Sequence, residues 1–237
     1  MDLWDYRNME AWNHTTPMGG MEIIAHRFYF KSWQRFLAAF ILLWFFLPHL
    51  FAQNIWIVQK EKDGIRLSSR KSATSSFNDV RVELDVPGNL SQLAAILENI
   101  PKYTEWAYAT KKSVLIKQLG PGKIIYYSEV EVPWPATNRF YYARFELKID
   151  SLNHTMQLLS ANIPDYKPMP ADLEPVPYSR GTWNVKTISP KTIHIDYVLE
   201  LNPGGSLPAW IINMFTTKGP LETFENIKHK MSALNPK

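Results

Sequence analysis

Not one of the 237 residues is a cysteine. That absence excludes a disulfide framework, cysteine-ligated zinc and every thiol nucleophile, while remaining compatible with an oxidising compartment. Charge is sparse too. Lys and Arg exceed Asp and Glu by only four, and no run concentrates that excess, so the electrostatic footprint of a nucleic-acid-binding protein is missing. Beyond residue 52 the histidines are His154, His194 and His229, none in a metal-binding spacing such as H-E-x-x-H. No G-x-S-x-G elbow, P-loop or G-x-G-x-x-G is present either. No cofactor or metal is therefore expected. Gly204-Gly205 precede Pro208 and read as a tight turn into a helix rather than a phosphate cradle.

Long apolar runs are also lacking. The longest, Phe36 to Leu47, has twelve residues, against the roughly 20 that a bilayer-spanning helix needs. Lys31 and Arg35 precede it, Pro48-His49 end it, and Leu50-Phe51-Ala52 supplies a small residue just beyond. A basic flank, a short apolar core and a small residue describe a secretory signal peptide; an uncleaved anchor is the alternative. Residues 1–52 are accordingly read as an N-terminal extension and signal peptide cleaved near Ala52, with Met21 giving a more ordinary leader than Met1. Residues 53–237 are the domain, and the protein is expected to be exported, periplasmic or secreted.

What the chain does have is aromatic bulk. Phe, Trp and Tyr make up 14% of it, including nine Trp, which suits a large core or an apolar pocket. The pattern is mostly of strands. Short apolar runs at 55–58 and 65–67 flank the turn signal Lys62-Asp63-Gly64. Val80, Val82, Leu84 and Val86 alternate with charged residues, as in a half-buried strand. After Pro87-Gly88-Asn89, residues 90–97 have helical spacing, stopped at Ile100-Pro101, with Tyr103 and Trp106 covering the exit. Strands then follow near 112–118, 123–132, 139–149, 154–162, 179–188 and 192–201. His194 and Asp196 share the outer face of the last one, as a solvated pair. From Pro208 a long amphipathic segment carries the apolar stripe Trp210, Ile211, Met214, Leu221, Phe224, Ile227 and Met231. Gly219-Pro220 interrupts it, and Pro220 predicts a kink or break there. Residues 163–178, with five prolines, read as an irregular functional or mobile loop.

An antiparallel sheet with one apolar face needs a cover, and the terminal helix is the candidate. The predicted class is α+β: a curved antiparallel sheet wrapped around a long C-terminal helix. Several stretches in this order resemble single-domain bacterial members of the START/SRPBCC superfamily. They are Trp56 with Asp63-Gly64-Ile65 and Arg70, Ile100-Pro101-Lys102-Tyr103-Thr104-Glu105-Trp106, Pro133-Trp134-Pro135 leading to Asn138-Arg139, Arg180-Gly181-Thr182-Trp183, and Asn202 through Trp210. The acids that often flank the strand arginine in that family are Asn138 and Phe140 here. The resemblance implies a helix-grip fold with an internal hydrophobic cavity that binds a lipid or similar ligand without catalysis, with transport of that ligand as the further expectation. The alternative it leaves open is a cyclase- or dehydratase-like enzyme of the same superfamily, acting on a polycyclic substrate.

The residues predicted to contact ligand are Val82, Val130, Arg139, Tyr141, Trp183, Tyr197, Trp210 and Met214. Alternation puts Arg139 on the apolar face, where an unpaired guanidinium costs several kcal/mol. It therefore pairs internally, with Glu or with backbone carbonyls at the sheet edge, or it anchors a lipid headgroup. Trp134, on a short connection between prolines, reads as a rim or transient membrane contact. The expected partner is a hydrophobic small molecule, and the expected state a monomer.

The leader generates the first prediction. N-terminal sequencing of exported protein should find a chain beginning at or near Gln53; an intact leader in the membrane fraction would overturn this.

Overall fold

Asp63 and Gly64 both have positive φ, 51° and 73°, the geometry of a two-residue turn whose twist matches its flanking strands. They join β1 (Ile57–Lys62) to β2 (Ile65–Lys71), and from this hairpin the sheet grows. β3 (Asn78–Pro87) adds to β2, burying Val80, Val82, Leu84 and Val86 as their alternation predicts. The computed structural model of the chain describes residues 55–73 and 75–236. The predicted signal peptide lies outside them.

The helix α1 (Leu90–Glu98) starts where its capping box demands. The Asn89 side chain accepts from the Gln92 amide, and the Gln92 side chain accepts from the Asn89 amide, so two otherwise unpaired helix N–H groups are satisfied. Pro101 ends the α-helical run and the chain tightens into a 3-10 turn, Ile100–Glu105. There Tyr103 and Trp106 meet edge to face with centroids 4.6 Å apart, and the Tyr103 hydroxyl donates to the Leu97 carbonyl.

The strand train follows as β4 (Thr110–Gly120), β5 (Lys123–Val130), β6 (Arg139–Asp150), β7 (Thr155–Asn162), β9 (Tyr178–Ser189) and β10 (Thr192–Asn202), with the two-residue β8 (Glu174–Pro175) parallel to β6. Sheet order is β1-β2-β3-β10-β9-β7-β6-β5-β4. The last strand thus returns to pair with β3, and the sheet curves without closing. The proline-rich stretch is more structured than predicted. Besides forming β8, it folds over the outer sheet face, where Tyr166 packs on Tyr142 at 4.7 Å and the Tyr142 hydroxyl donates to the Pro168 carbonyl. His194 and Asp196 do not pair with each other. His194 Nδ1 lies 2.7 Å from Asp85, and Asp196 takes a two-pronged bond from Arg81.

The inner face is covered by one helical segment in three parts: α2 (Ala209–Asn213), a π-helical turn (Met214–Lys218) and α3 (Gly219–Leu234). Leu221, Phe224, Ile227 and Met231 of α3 are buried, each such side chain contributing about 1.5–3 kcal/mol. The predicted break at Gly219 is not there. Gly219 is helical, at φ −59° and ψ −51°, and its N–H reaches back to the Met214 carbonyl. The π turn therefore sits directly ahead of the residue that lacks an N–H, and absorbs the lost bond without ending the helix. Among the described residues no helix is long and apolar enough to cross a membrane.

Gly219 is held by close packing. A Cβ there would stand 2.7 Å from the Met214 carbonyl oxygen and 2.9 Å from Tyr108 Cδ1. Gly219→Ala is therefore expected to lower stability by about 1–3 kcal/mol, read from the urea midpoint. Stabilisation, as helix propensity alone would give, would show that the packing does not constrain this turn.

Candidate functional site

Between sheet and helix lies a cavity of about 210 Å³. Its floor is the inner face of β5, β6, β7, β9 and β10; its roof is the π turn and the start of α3; the Trp106–Tyr108 corner forms one wall. Strand alternation selects the lining. Tyr126 on β5, Tyr141, Ala143 and Phe145 on β6, Leu158 and Ser160 on β7, Gly181 and Trp183 on β9, and Tyr197 and Leu199 on β10 all point the same way. Trp183, Tyr197 and Phe224 stack into one aromatic wall, with centroids 4.8–5.1 Å apart.

Six of the eight predicted contact residues line this cavity: Val130, Arg139, Tyr141, Trp183, Tyr197 and Met214. Val82 does not. It is fully buried in the core, beside Leu67 and Tyr197 on the neighbouring strands, where the sheet and α3 meet without a gap. Trp210 is also outside the lining and 49% exposed, because it lies in the first helical turn, before the helix drops onto the sheet. Trp134 is 89% exposed. Sequence reasoning missed Tyr126 and Ser160, whose hydroxyls are 2.9 Å apart. The signal available was their parity on β5 and β7, since Tyr126 falls in step with Ile124 and Ser160 with Leu158.

Among the described residues Arg139 is the single charged one in the lining, and it is only 4% exposed. Its guanidinium spends its donors on backbone carbonyls: Nε on Pro203 at 3.3 Å, Nη2 on Gly204 at 3.4 Å, and Nη1 on Thr137. Burial draws its pKa down, and the charge of Glu174 partly offsets this. Of the two internal partners considered, the carbonyls are the ones in contact. The consequence is mechanical: β6 is tied to the 203–205 turn that launches the covering helix.

The other ionisable groups of the wall are phenols. Burial pushes Tyr103, Tyr126, Tyr141 and Tyr197 above the ordinary tyrosine pKa, so all stay neutral at physiological pH. Among the described residues no group of three His, Asp or Glu side chains could hold a metal ion. The wall can bury apolar surface and exchange neutral hydrogen bonds.

No family model matches the chain. It is 25% identical over 173 residues to an uncharacterized protein of Pseudomonas aeruginosa, a match spanning 73% of this chain and 85% of that one. The crystal structure of a STAR-related lipid transfer protein fragment from Xanthomonas axonopodis superposes with a TM-score of 0.68 at 21% identity, covering 75% of this chain and 99% of that one. Human StAR-related lipid transfer protein 5 gives 0.64 at 14% identity, covering 86% and 97%. The chain has the START helix-grip fold, as its motifs predict.

The carbonyl cage around Arg139 carries a prediction. Arg139→Met leaves three carbonyls without their donor, and at about 1–3 kcal/mol for each unsatisfied group with partial relief by water, stability should fall by about 2–4 kcal/mol in chemical denaturation. A variant of unchanged stability that binds hydrophobic ligand more weakly would instead mark Arg139 as a headgroup anchor.

Proposed function

We propose that this protein binds a lipid or similar hydrophobic molecule in the cavity beneath its terminal helix, as a carrier and not as an enzyme. The observation that carries this reading is the wall itself, an aromatic and aliphatic enclosure in which Arg139 is the one charge. Apolar pockets with a few placed polar groups are the usual form of small-molecule sites. The names of the two lipid transfer proteins that share its fold point the same way. General acid–base catalysis wants a group whose pKa lies near the working pH. Among the described residues the wall's ionisable groups are a guanidinium and phenols, of which burial shifts Tyr103, Tyr126, Tyr141 and Tyr197 upward, which supports binding over turnover.

Two exposed tryptophans support transport as part of this reading. Trp134, 89% exposed, follows β5 just beyond Val130, a cavity residue, and Trp210, 49% exposed, opens the covering helix. Rigid rings with one polar atom favour the membrane–water interface, so these two tryptophans are the contact through which ligand would pass to and from a bilayer. If the leader predicted at residues 1–52 acts as a signal peptide, this activity lies outside the cytoplasm.

Two measurements test the proposal. A bromine-labelled long-chain lipid should quench Trp emission saturably, and Trp183→Phe should remove most of the change, leaving the share of Trp106, the other lining tryptophan. Absence of saturable quenching would overturn the binding reading. Trp134→Ser should slow delivery of the same lipid to phosphatidylglycerol-containing vesicles without altering its affinity. An unchanged transfer rate would remove Trp134 from the membrane contact.

A further inference from the structure

Glycine in the middle of a strand weakens it and often marks a close approach. Gly181 sits inside β9 on the cavity face. An ideal Cβ there would come within 3.1 Å of the Tyr197 hydroxyl and 3.2 Å of its ring edge. Gly181 therefore makes room for Tyr197, which lies across β9 with its hydroxyl above the glycine. The cross-strand partner of Gly181 on β7 is Ser160, and directly opposed positions hold their side chains about 5 Å apart. Ser160 Oγ is in turn 2.9 Å from Tyr126 Oη. On β6, between β7 and β5, Tyr141 packs edge to face on Tyr126 with ring centroids 6.0 Å apart; Ser128 is its direct cross-strand partner. Four strands thus bring hydroxyls to one niche over Gly181. The Tyr197 hydroxyl is the unspent member: its ring packs on Trp183 and Phe224, but no hydrogen bond engages its oxygen among the described residues.

We infer that this niche holds the polar end of the ligand, and that this end is an uncharged hydroxyl or carbonyl. The inference rests on the hydrophobic-ligand reading and narrows it to a chemical class. A hydroxyl or carbonyl would complete the bonding of Tyr197, which can both donate and accept. An ionised carboxylate or phosphate would not be accommodated there. Among the described residues the niche has no cation, and an unpaired buried anion costs several kcal/mol. The one guanidinium of the described wall already gives three of its five N–H groups to the Pro203, Gly204 and Thr137 carbonyls. Burial also raises the pKa of the phenols, so they present neutral donors and acceptors and not a charged surface. The ligand class is then a long or polycyclic apolar body ending in an alcohol or ketone.

The test uses the full domain and four probes of one chain length: hexadecanol, its methyl ketone, ionised hexadecanoic acid and hexadecane. Each competes with the bromine-labelled lipid for quenching of Trp183. The alcohol and ketone should displace it at concentrations about tenfold below those of the acid and of the bare alkane. Tyr197→Phe and Ser160→Ala keep ring and strand while removing one hydroxyl. Each should weaken the alcohol about three- to tenfold, as the loss of one net hydrogen bond does, and leave hexadecane unchanged. Tightest binding by the ionised acid would overturn the inference and move the polar end to Arg139. Equal binding of alcohol and alkane would overturn it while leaving a hydrophobic cavity in place. Absence of quenching by the labelled lipid would remove the parent reading as well.

Discussion

An antiparallel sheet that curves without closing leaves its inner face to be covered by something else, and every other feature of this domain answers to that constraint. β3 and β10 pair along their length and bury a continuous row of Val, Leu and Ile. α3 lies on that row with Leu221, Phe224, Ile227 and Met231, and polar contacts hold its middle and its C-terminal cap: Lys62 to Glu225 at 2.7 Å, and Gln92 of α1 to Asn235 at 3.2 Å. These exposed bonds contribute little to stability by themselves. What they do is set the register of the cover. Beyond that row the inner face of β5, β6, β7, β9 and β10 and the start of the cover enclose the cavity.

The covering helix is adapted where it crosses that gap. Pro220 deprives one carbonyl of its donor; the π turn at 214–218 takes up the slack, and Gly219 lets the backbone pass close to Tyr108. At the same end Arg139 binds the carbonyls of Pro203 and Gly204, so the turn that launches the helix is fastened to the strand that floors the cavity. One buried cation thereby serves geometry. The interior it closes is left with aromatic surface and neutral hydroxyls, a wall suited to holding a molecule and poorly suited to moving protons from it.

Much of this was legible in the sequence, for reasons that differ element by element. β3 was visible because its outer face is wet, so Val80 to Val86 stand out against Asp79, Arg81, Glu83 and Asp85. The Asp63-Gly64 turn and the stripe of α3 are local signals and needed no tertiary knowledge. Trp183 and Tyr197 could be placed inward by parity alone. The failures share a cause. Val82 has the same parity as the lining residues, but whether an inward residue meets a helix or a void depends on where the cover departs from the sheet, which periodicity does not encode. Ser160 shares its parity with Leu158, but it took the sheet order to put it beside Tyr126. The π turn could not be seen either, because a proline within a helical stripe announces a lost hydrogen bond and says nothing of how the preceding turn recovers it.

The glycine in β9 shows how far a single absence can reach. A side chain at 181 would pack against Tyr197 and push its ring toward Phe224, so any larger residue there would trade a polar niche for core packing. The strand keeps the glycine despite its conformational cost, roughly 0.5–1 kcal/mol relative to alanine. The same cavity face presents Ser160 across from it and Tyr126 beyond, hydroxyls that a solid core would replace with methyl groups at no loss of hydrogen bonding. Polar, mutually bonded side chains at the centre of an otherwise apolar sheet are what the proposed occupant would use, and what an interior built for its own maximal packing would not keep.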